Sequence, residues 1–413
     1  MSTVPSICRA ARDAQPRLAA ASPETRNAVL EHVARLLVER TESLVAENQK
    51  DLAAAEASDL SSAMVDRLRL TPDRIQSIAQ GVREIIALPD PVGGIEDLKR
   101  RPNGLQVGRM RIPLGVIAMI FESRPNVVID AGALCLKSSN AVILKGGKEA
   151  LHSNIALAAV LRDALEAEGL PPEAMALLTD RADVAELLKQ SDTVDLLIPR
   201  GGKNLIRYVT DNSSIPVVQH FEGICHAFVD ESADLTMASD ITLNAKAQRP
   251  GVCNALETLL VHVKVAPAFL PGVTARLEDA GVEVRGCVRS RSIVPSMTAA
   301  TDEDWATEYI DLILSVRVVD DMEAALEHIH RFGSDHTETI ITSDYARANA
   351  FVARVPSSAV MVNASTRFND GGQLGLGAEI GISTSRLHAF GPMGLQELTT
   401  RKWVVFGSGQ IRQ

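Results

Sequence analysis

Aromatic residues make up only 3% of this 413-residue chain, and with two tryptophans and three tyrosines there is little to stack on exposed bases. A basic surplus is missing too. The net charge of -10 excludes general affinity for nucleic acid or an anionic membrane, so an anionic substrate has to be drawn by a local basic cluster. The longest apolar run, Ile112 to Phe121, is too short to span a bilayer. The segment Met1 to Gln15 carries Arg9, Arg12 and Asp13 and has no apolar core of the secretory kind. Five scattered cysteines (Cys8, Cys135, Cys225, Cys253, Cys287) include no Cys-x-x-Cys pair, which argues against a disulfide framework or a zinc ribbon and for a reducing compartment. The expectation is a cytoplasmic protein that binds neither nucleic acid nor membrane. No Gly-x-Gly-x-x-Gly follows a predicted strand, so the usual dinucleotide fingerprint is absent as well.

What is present is a globular composition, 46% hydrophobic and 23% charged, with enough length for two or three domains. Ser22-Pro23 and Thr71-Pro72 read as helix starts, the second ahead of apolar positions Ile75, Ile78, Val82, Ile85 and Ile86. Arg101-Pro102-Asn103-Gly104 marks a turn between two basic strands, Leu98 to Arg101 and Leu105 to Met110. From Leu114, short apolar runs alternate with helical patterns: Val116 to Ile120, Ala141 to Leu144, Met175 to Thr179, Val194 to Ile198 and Ile215 to Val218. A second series begins near Gly223 and takes in Leu256 to Val261, Val282 to Val284, Asp311 to Val318 and Glu338 to Thr342. Two α/β domains with parallel sheets follow, with ligands expected at the carboxyl ends of their strands. Lys402 to Phe406 is a strand whose partner is either the basic hairpin or another subunit.

Two segments could carry chemistry. Gln248-Arg249-Pro250-Gly251-Val252-Cys253-Asn254-Ala255 puts Cys253 in a Pro-Gly turn just before an apolar strand, with polar neighbours where a structural thiol would have aliphatic ones. A buried structural cysteine is the alternative. Leu144-Lys145-Gly146-Gly147-Lys148-Glu149 lies where a strand ends and a helix begins, a place where amide groups and the helix dipole favour phosphate; a solvated lysine turn is the alternative there. The histidines and Cys225 do not converge at ligand spacing, so no metal site is expected.

Phe121-Glu122-Ser123-Arg124-Pro125-Asn126, Leu144 to Lys148, His220 to His226, Arg249 to Thr258, Trp305 to Asp311, Gly381-Ile382-Ser383-Thr384, Leu387-His388-Ala389 and Gly391 to Leu395 occur in one order. In this the chain resembles the aldehyde dehydrogenase superfamily and, within it, the glutamate-5-semialdehyde dehydrogenases, also called gamma-glutamyl phosphate reductases. The resemblance implies two α/β domains plus a small β oligomerisation element. It sets a cofactor-binding domain at 1–226 with hairpin 98–112 in that element, a catalytic domain at 227–390 and an oligomerisation strand at 391–413. The resemblance further implies NADPH-dependent reduction of L-glutamyl 5-phosphate to L-glutamate 5-semialdehyde in proline biosynthesis. Cys253 would be the nucleophile, with the oxyanion held by its own N–H and by the Ser123 or Asn126 side chain. Lys145, Gly146, Gly147 and Lys148 would hold the adenosine side of the cofactor and Glu308 the nicotinamide ribose, with Arg124 and Arg249 as anion contacts for the substrate. A homo-oligomer and a glutamate 5-kinase are the partners it implies.

Two departures matter. Where hydrolytic aldehyde dehydrogenases carry an acid for the ribose 2'-hydroxyl, Lys148 stands here, which favours a 2'-phosphate. Their general-base glutamate falls at His220. Rival readings are a phosphate-independent aldehyde-oxidising dehydrogenase of the same fold, a nucleotide-free cysteine acyltransferase, and a non-catalytic scaffold on which Cys253 is unreactive.

Overall fold

In the computed structural model, which describes residues 3–56, 62–219 and 221–412, the chain divides into two compact units. Strands β1 (Ile95–Arg100), β2 (Gln106–Pro113), β3 (Val116–Phe121), β4 (Ala141–Lys145), β5 (Met175–Leu178) and β6 (Leu196–Arg200) belong to the first. The second holds β7 (Cys225–Val229), β8 (Leu256–His262), β9 (Glu283–Gly286), β10 (Thr298–Ala299), β11 (Ile313–Val319), β12 (Thr337–Ile341) and β13 (Ala359–Val362). Two three-residue strands, β14 (Gly381–Ser383) and β15 (Gly391–Met393), pair with each other. The chain ends on β16 (Thr399–Phe406), which returns to the first unit.

In the first unit a four-stranded parallel sheet runs in the order β5-β4-β3-β6. Every residue of β3 and β4 is buried, as expected for uninterrupted apolar runs covered on both faces. The predicted helix starts are in place. Ser22 Oγ accepts from the Thr25 amide at the head of helix Pro23–Glu39, and Thr71 Oγ1 accepts from the Arg74 amide at the head of helix Pro72–Ala87. Ile215 to Val218, read as a strand, is not one. A single bridge joins Leu197 and Val217, because Pro216 has no N–H with which to continue a ladder.

The basic hairpin forms as read, closed by the Gly104 amide donating to Arg101 O at 2.9 Å with Gly104 at φ 89°. β16 pairs antiparallel with β2 from Thr399 opposite Pro113 to Phe406 opposite Gln106, giving a three-stranded sheet β1-β2-β16. Trp403 and Val405 on β16 are 67% and 56% exposed, so this sheet carries apolar side chains that the unit does not bury.

The second unit is a seven-stranded, wholly parallel sheet in the order β10-β9-β11-β8-β7-β12-β13. Its two apolar clusters lie on helices Leu235–Ala247 and Ala266–Asp279 and on helices Met322–Phe332 and Tyr345–Arg354. Among the described residues no helix is long and apolar enough to cross a membrane.

Candidate active site

Cys253 sits three residues before β8, at the amino end of that strand. Ligands were expected at the carboxyl ends of both parallel sheets. In the second unit the polar groups gather instead at the amino ends of β7, β8 and β12, because the helix Leu235–Ala247 returns the chain there and leaves it in the irregular stretch 248–255. Gly223 approaches so closely that a Cβ on it would lie 2.2 Å from Cys253 O and 2.9 Å from Cys253 Cα. No other residue type fits without moving the Cys253 backbone.

The rest of the mount comes from far along the chain. Thr366 Oγ1 donates to Asn254 O at 2.7 Å, Asn254 Nδ2 donates to Asn369 O at 2.9 Å, and Asn369 Nδ2 donates to Thr337 Oγ1 at 2.7 Å. Asn254 and Asn369 are buried, so these bonds face no competition from water. Cys225, also buried, donates its thiol to Cys253 O at 3.2 Å and lies 3.7 Å from His336 Nδ1. Burial and the nearby acidic groups push the Cys225 thiol well up, so it acts as a donor and not as a nucleophile. Cys253, by contrast, is only half-buried and forms no disulfide.

Arg249 is exposed on the same stretch. Arg367, which the sequence reading missed, donates from Nε to Gln248 Oε1 at 2.9 Å. Burial and the Arg249 charge hold Arg367 below the ordinary arginine value, while Asp370, Cys253 and Cys225 pull it back. Two guanidinium groups thus bear on the Cys253 segment, a field that favours thiolate and attracts an anionic acyl group. Glu308 is half-buried in the loop before β11, two residues ahead of Ile310, whose φ of 53° is rare for a branched side chain. His220 lies outside the described residues.

In the first unit the turn after β3 carries Ser123, Arg124 and Asn126. Ser123 has φ 44°, and its amide and its hydroxyl both donate to Glu149 Oε1 at 2.7 Å. A hydroxyl has one proton to give, so in this arrangement Ser123 braces the turn. Asn126 Nδ2 spends one of its two N–H groups on Asp130 Oδ2 at 2.8 Å. Burial raises Asp130 to about 6. Arg124 is half-buried in the same turn.

The turn Lys145 to Lys148 does follow β4, but its helix is not a vacant anion site. A 3-10 turn, Lys148–Ala150, intervenes, and helix Leu151–Ala167 is capped from helix Thr41–Glu56: Asp51 accepts from the His152 and Ser153 amides and from Ser153 Oγ at 3.1, 2.8 and 2.6 Å. An anion here would be met by Lys145 and Lys148 side chains and not by those amides. Lys145 is buried, which lowers its pKa, and its Nζ donates to Gly146 O at 2.6 Å; Lys148 is exposed. A side chain on Gly146 would meet Asn154 Nδ2 at 2.1 Å and one on Gly147 the Glu149 carboxylate at 2.1 Å, so either would have to displace the end of a neighbouring side chain.

Strand order reveals a feature that residue patterns did not. The chain moves from β3 to β4 to β5 in one direction and then returns to place β6 on the other side of β3, so the reversal lies between β3 and β6. At the end of β6, Gly201 and Gly202 open helix Lys203–Asn212, where the N-cap Gly202 has no side chain to supply a cap, and Glu122 Oε2 accepts from the Gly202 amide at 2.8 Å. A reversal of this kind, a glycine turn and two lysines at the neighbouring strand end fit a dinucleotide.

The description aldehyde dehydrogenase family matches residues 1–312. The chain belongs to the aldehyde dehydrogenase family. Within that family it is 56% identical to the gamma-glutamyl phosphate reductase of Nitratidesulfovibrio vulgaris, over 100% of this chain and 99% of the relative. It is 55% identical to the gamma-glutamyl phosphate reductase of Moorella thermoacetica over 98% and 97%. The crystal structure of gamma-glutamyl phosphate reductase from Thermotoga maritima superposes with TM-score 0.98 at 44% identity, covering 100% of both chains. Aldehyde dehydrogenase family enzymes use a nicotinamide cofactor.

If the guanidinium field tunes Cys253, Arg367→Met will slow alkylation of Cys253 by iodoacetamide at neutral pH about three- to tenfold, through a raised thiol pKa. Mass spectrometry of the peptide carrying Cys253 follows the rate, and an unchanged rate would remove Arg367 from the site.

Proposed function

We infer that this chain reduces L-glutamyl 5-phosphate to L-glutamate 5-semialdehyde and phosphate, as a step of proline biosynthesis, with NADPH as the reductant. The observation that carries the reading is the full-length similarity to gamma-glutamyl phosphate reductases together with a half-buried cysteine held by Gly223, Asn254 and Thr366 under two guanidinium groups.

A free carboxylate is too poor an electrophile for hydride, so the acid must arrive activated. The Cys253 thiolate attacks the acyl phosphate carbonyl; the S–C bond forms, the bond from that carbon to the phosphate oxygen breaks, and phosphate departs with the electron pair. A thioester remains on Cys253. The nicotinamide cofactor, when bound, supplies a hydride to its carbonyl carbon. The carbonyl then re-forms as the C–S bond breaks, returning thiolate and releasing the aldehyde, which cyclises toward the proline precursor.

Arg249, joined here by Arg367 and by Arg124 on the resemblance, meets the phosphate or carboxylate of the substrate through charge-assisted hydrogen bonds. Asn126 is proposed, on the resemblance alone, as a donor to the acyl oxygen. Lys145 and Lys148 hold the adenosine ribose and its phosphate, and Glu308 the nicotinamide ribose. The first unit is then the cofactor-binding domain, the second the catalytic domain, and the exposed sheet β1-β2-β16 the oligomerisation element of a homo-oligomer. An acyl phosphate is labile in water, which makes a glutamate 5-kinase the fitting partner.

Run in the oxidative direction with glutamate 5-semialdehyde and NADP, the purified chain will depend on inorganic phosphate to release the thioester, and Cys253→Ala will lose turnover while keeping the wild-type melting temperature. A full rate in phosphate-free buffer would favour hydrolysis, and near-normal activity of a folded Cys253→Ala chain would remove the nucleophile.

Cofactor choice is tested separately. Lys148→Glu should weaken NADPH about ten- to a hundredfold and spare NADH, given about 1.5 to 3 kcal/mol for a charge-assisted contact. Equal and weak responses of both cofactors in equilibrium titrations would show Lys148 to be solvated.

A further inference from the structure

A lysine and a glutamate lie wholly inside the second unit, and the reaction described above uses neither. Lys246, on helix Leu235–Ala247, and Glu257, on β8, are both 0% exposed, and Lys246 Nζ donates to Glu257 Oε2 at 2.6 Å. Burying two charges costs several kcal/mol per ion before their attraction is counted, and an apolar pair of similar volume would do as well or better for stability alone. Something other than stability has to account for the pair.

The backbone indicates what. β7 and β8 run in register from Cys225 opposite Leu256 to His226 opposite Thr258, so one residue on β7 advances while two advance on β8. Glu257 is the inserted residue. Such a bulge re-aims a side chain out of the regular alternation. Its remaining oxygen, Oε1, accepts from the Ile310 amide at 3.3 Å. Ile310 is the residue at φ 53°, two after Glu308, and it is exposed, so its own side chain does not fix that conformation. The same loop is gripped on its other side, where Tyr309 Oη donates to Asp304 Oδ1 at 2.7 Å, and Lys246 Nζ lies 5.8 Å from the Tyr309 ring centroid.

We propose that Lys246 and Glu257 are positioning residues, a buried ion pair that holds the Ile310 amide and thereby sets the Glu308 carboxylate for the nicotinamide ribose. This rests on the reading of Glu308 as a cofactor contact. Burial pushes Glu257 up to about 7 and Lys246 down, with the Glu308 charge adding to the first; each member therefore depends on its partner to stay ionised.

The test is equilibrium binding of NADPH, read by quenching of protein fluorescence, so that no turnover is needed. Four variants are compared with the wild type. Lys246→Met/Glu257→Leu removes the pair without leaving a buried charge and is expected to melt at or above the wild-type temperature while binding NADPH about tenfold more weakly. Lys246→Met/Glu257→Gln removes the buried ammonium but keeps an acceptor for the Ile310 amide, and should stay within about threefold of wild type. Glu308→Gln reports on the underlying reading by itself. Adding it to the Lys246→Met/Glu257→Leu variant should cost no further affinity, because both changes act through one contact.

Wild-type affinity in Lys246→Met/Glu257→Leu overturns the proposal, provided Glu308→Gln binds weakly. Loss in Lys246→Met/Glu257→Gln as large as in Lys246→Met/Glu257→Leu overturns it as well, since the acceptor is then not the link. If Lys246→Met/Glu257→Leu does not fold, the pair is structural and the proposal fails. Unchanged binding by Glu308→Gln overturns the reading of Glu308, and the proposal with it.

Discussion

The backbone of Cys253 is pressed against Gly223 at a distance where no side-chain carbon fits, and the chemistry of the second unit depends on that contact. A nucleophile is useful only if its sulfur is presented at a fixed place, and a residue just outside a strand has no ladder to fix it. Here the missing ladder is replaced by side-chain bonds to main-chain carbonyls: Cys225 to Cys253 O, Thr366 to Asn254 O, and Asn254 in turn to Asn369 O. The two bonds at Asn254 are buried, where a lost bond leaves a carbonyl unsatisfied at about 1 to 3 kcal/mol. The thiol stays half-exposed while its backbone is held from below.

The amino-end position of Cys253 follows from the same constraint. At the carboxyl end of β8 the chain runs directly from His262 toward helix Ala266–Asp279, with little irregular backbone to build on. The amino end receives the long irregular stretch 248–255 and lies beside the segment 365–369, which supplies Arg367. In the first unit the reverse holds. The residues proposed for the cofactor sit at the carboxyl ends of β3 and β4, beside the reversal of strand order between β3 and β6.

Much of this was legible in the residues. Continuous apolar runs gave β3, β4 and β8 to within a residue or two, and Ser22-Pro23 and Thr71-Pro72 gave their helices. Cys253 stood out because its neighbours are polar and turn-forming. What escaped was what only long-range pairing creates. The Asp51 cap joins residues about 100 apart in sequence, so helix Leu151–Ala167 looked open to an anion when its amides were already bonded. Arg367 reaches Gln248 across 119 positions. Gly201-Gly202 has meaning only once β6 is known to lie beside β3. Lys246 drew no reading, and nothing local shows that a bulge turns Glu257 toward it. Ile215 to Val218 failed for a smaller reason: Pro216 looks apolar but cannot donate.

The central claim is that Cys253 carries the acyl group as a thioester that only phosphate releases. Intact-mass spectrometry after mixing the chain with glutamate 5-semialdehyde and NADP in phosphate-free buffer tests it most directly. The account predicts one acyl adduct per chain, mapped to the peptide bearing Cys253, formed with one equivalent of reduced cofactor and discharged when phosphate is added. Continued production of reduced cofactor with no adduct, or an adduct on another cysteine, would contradict it.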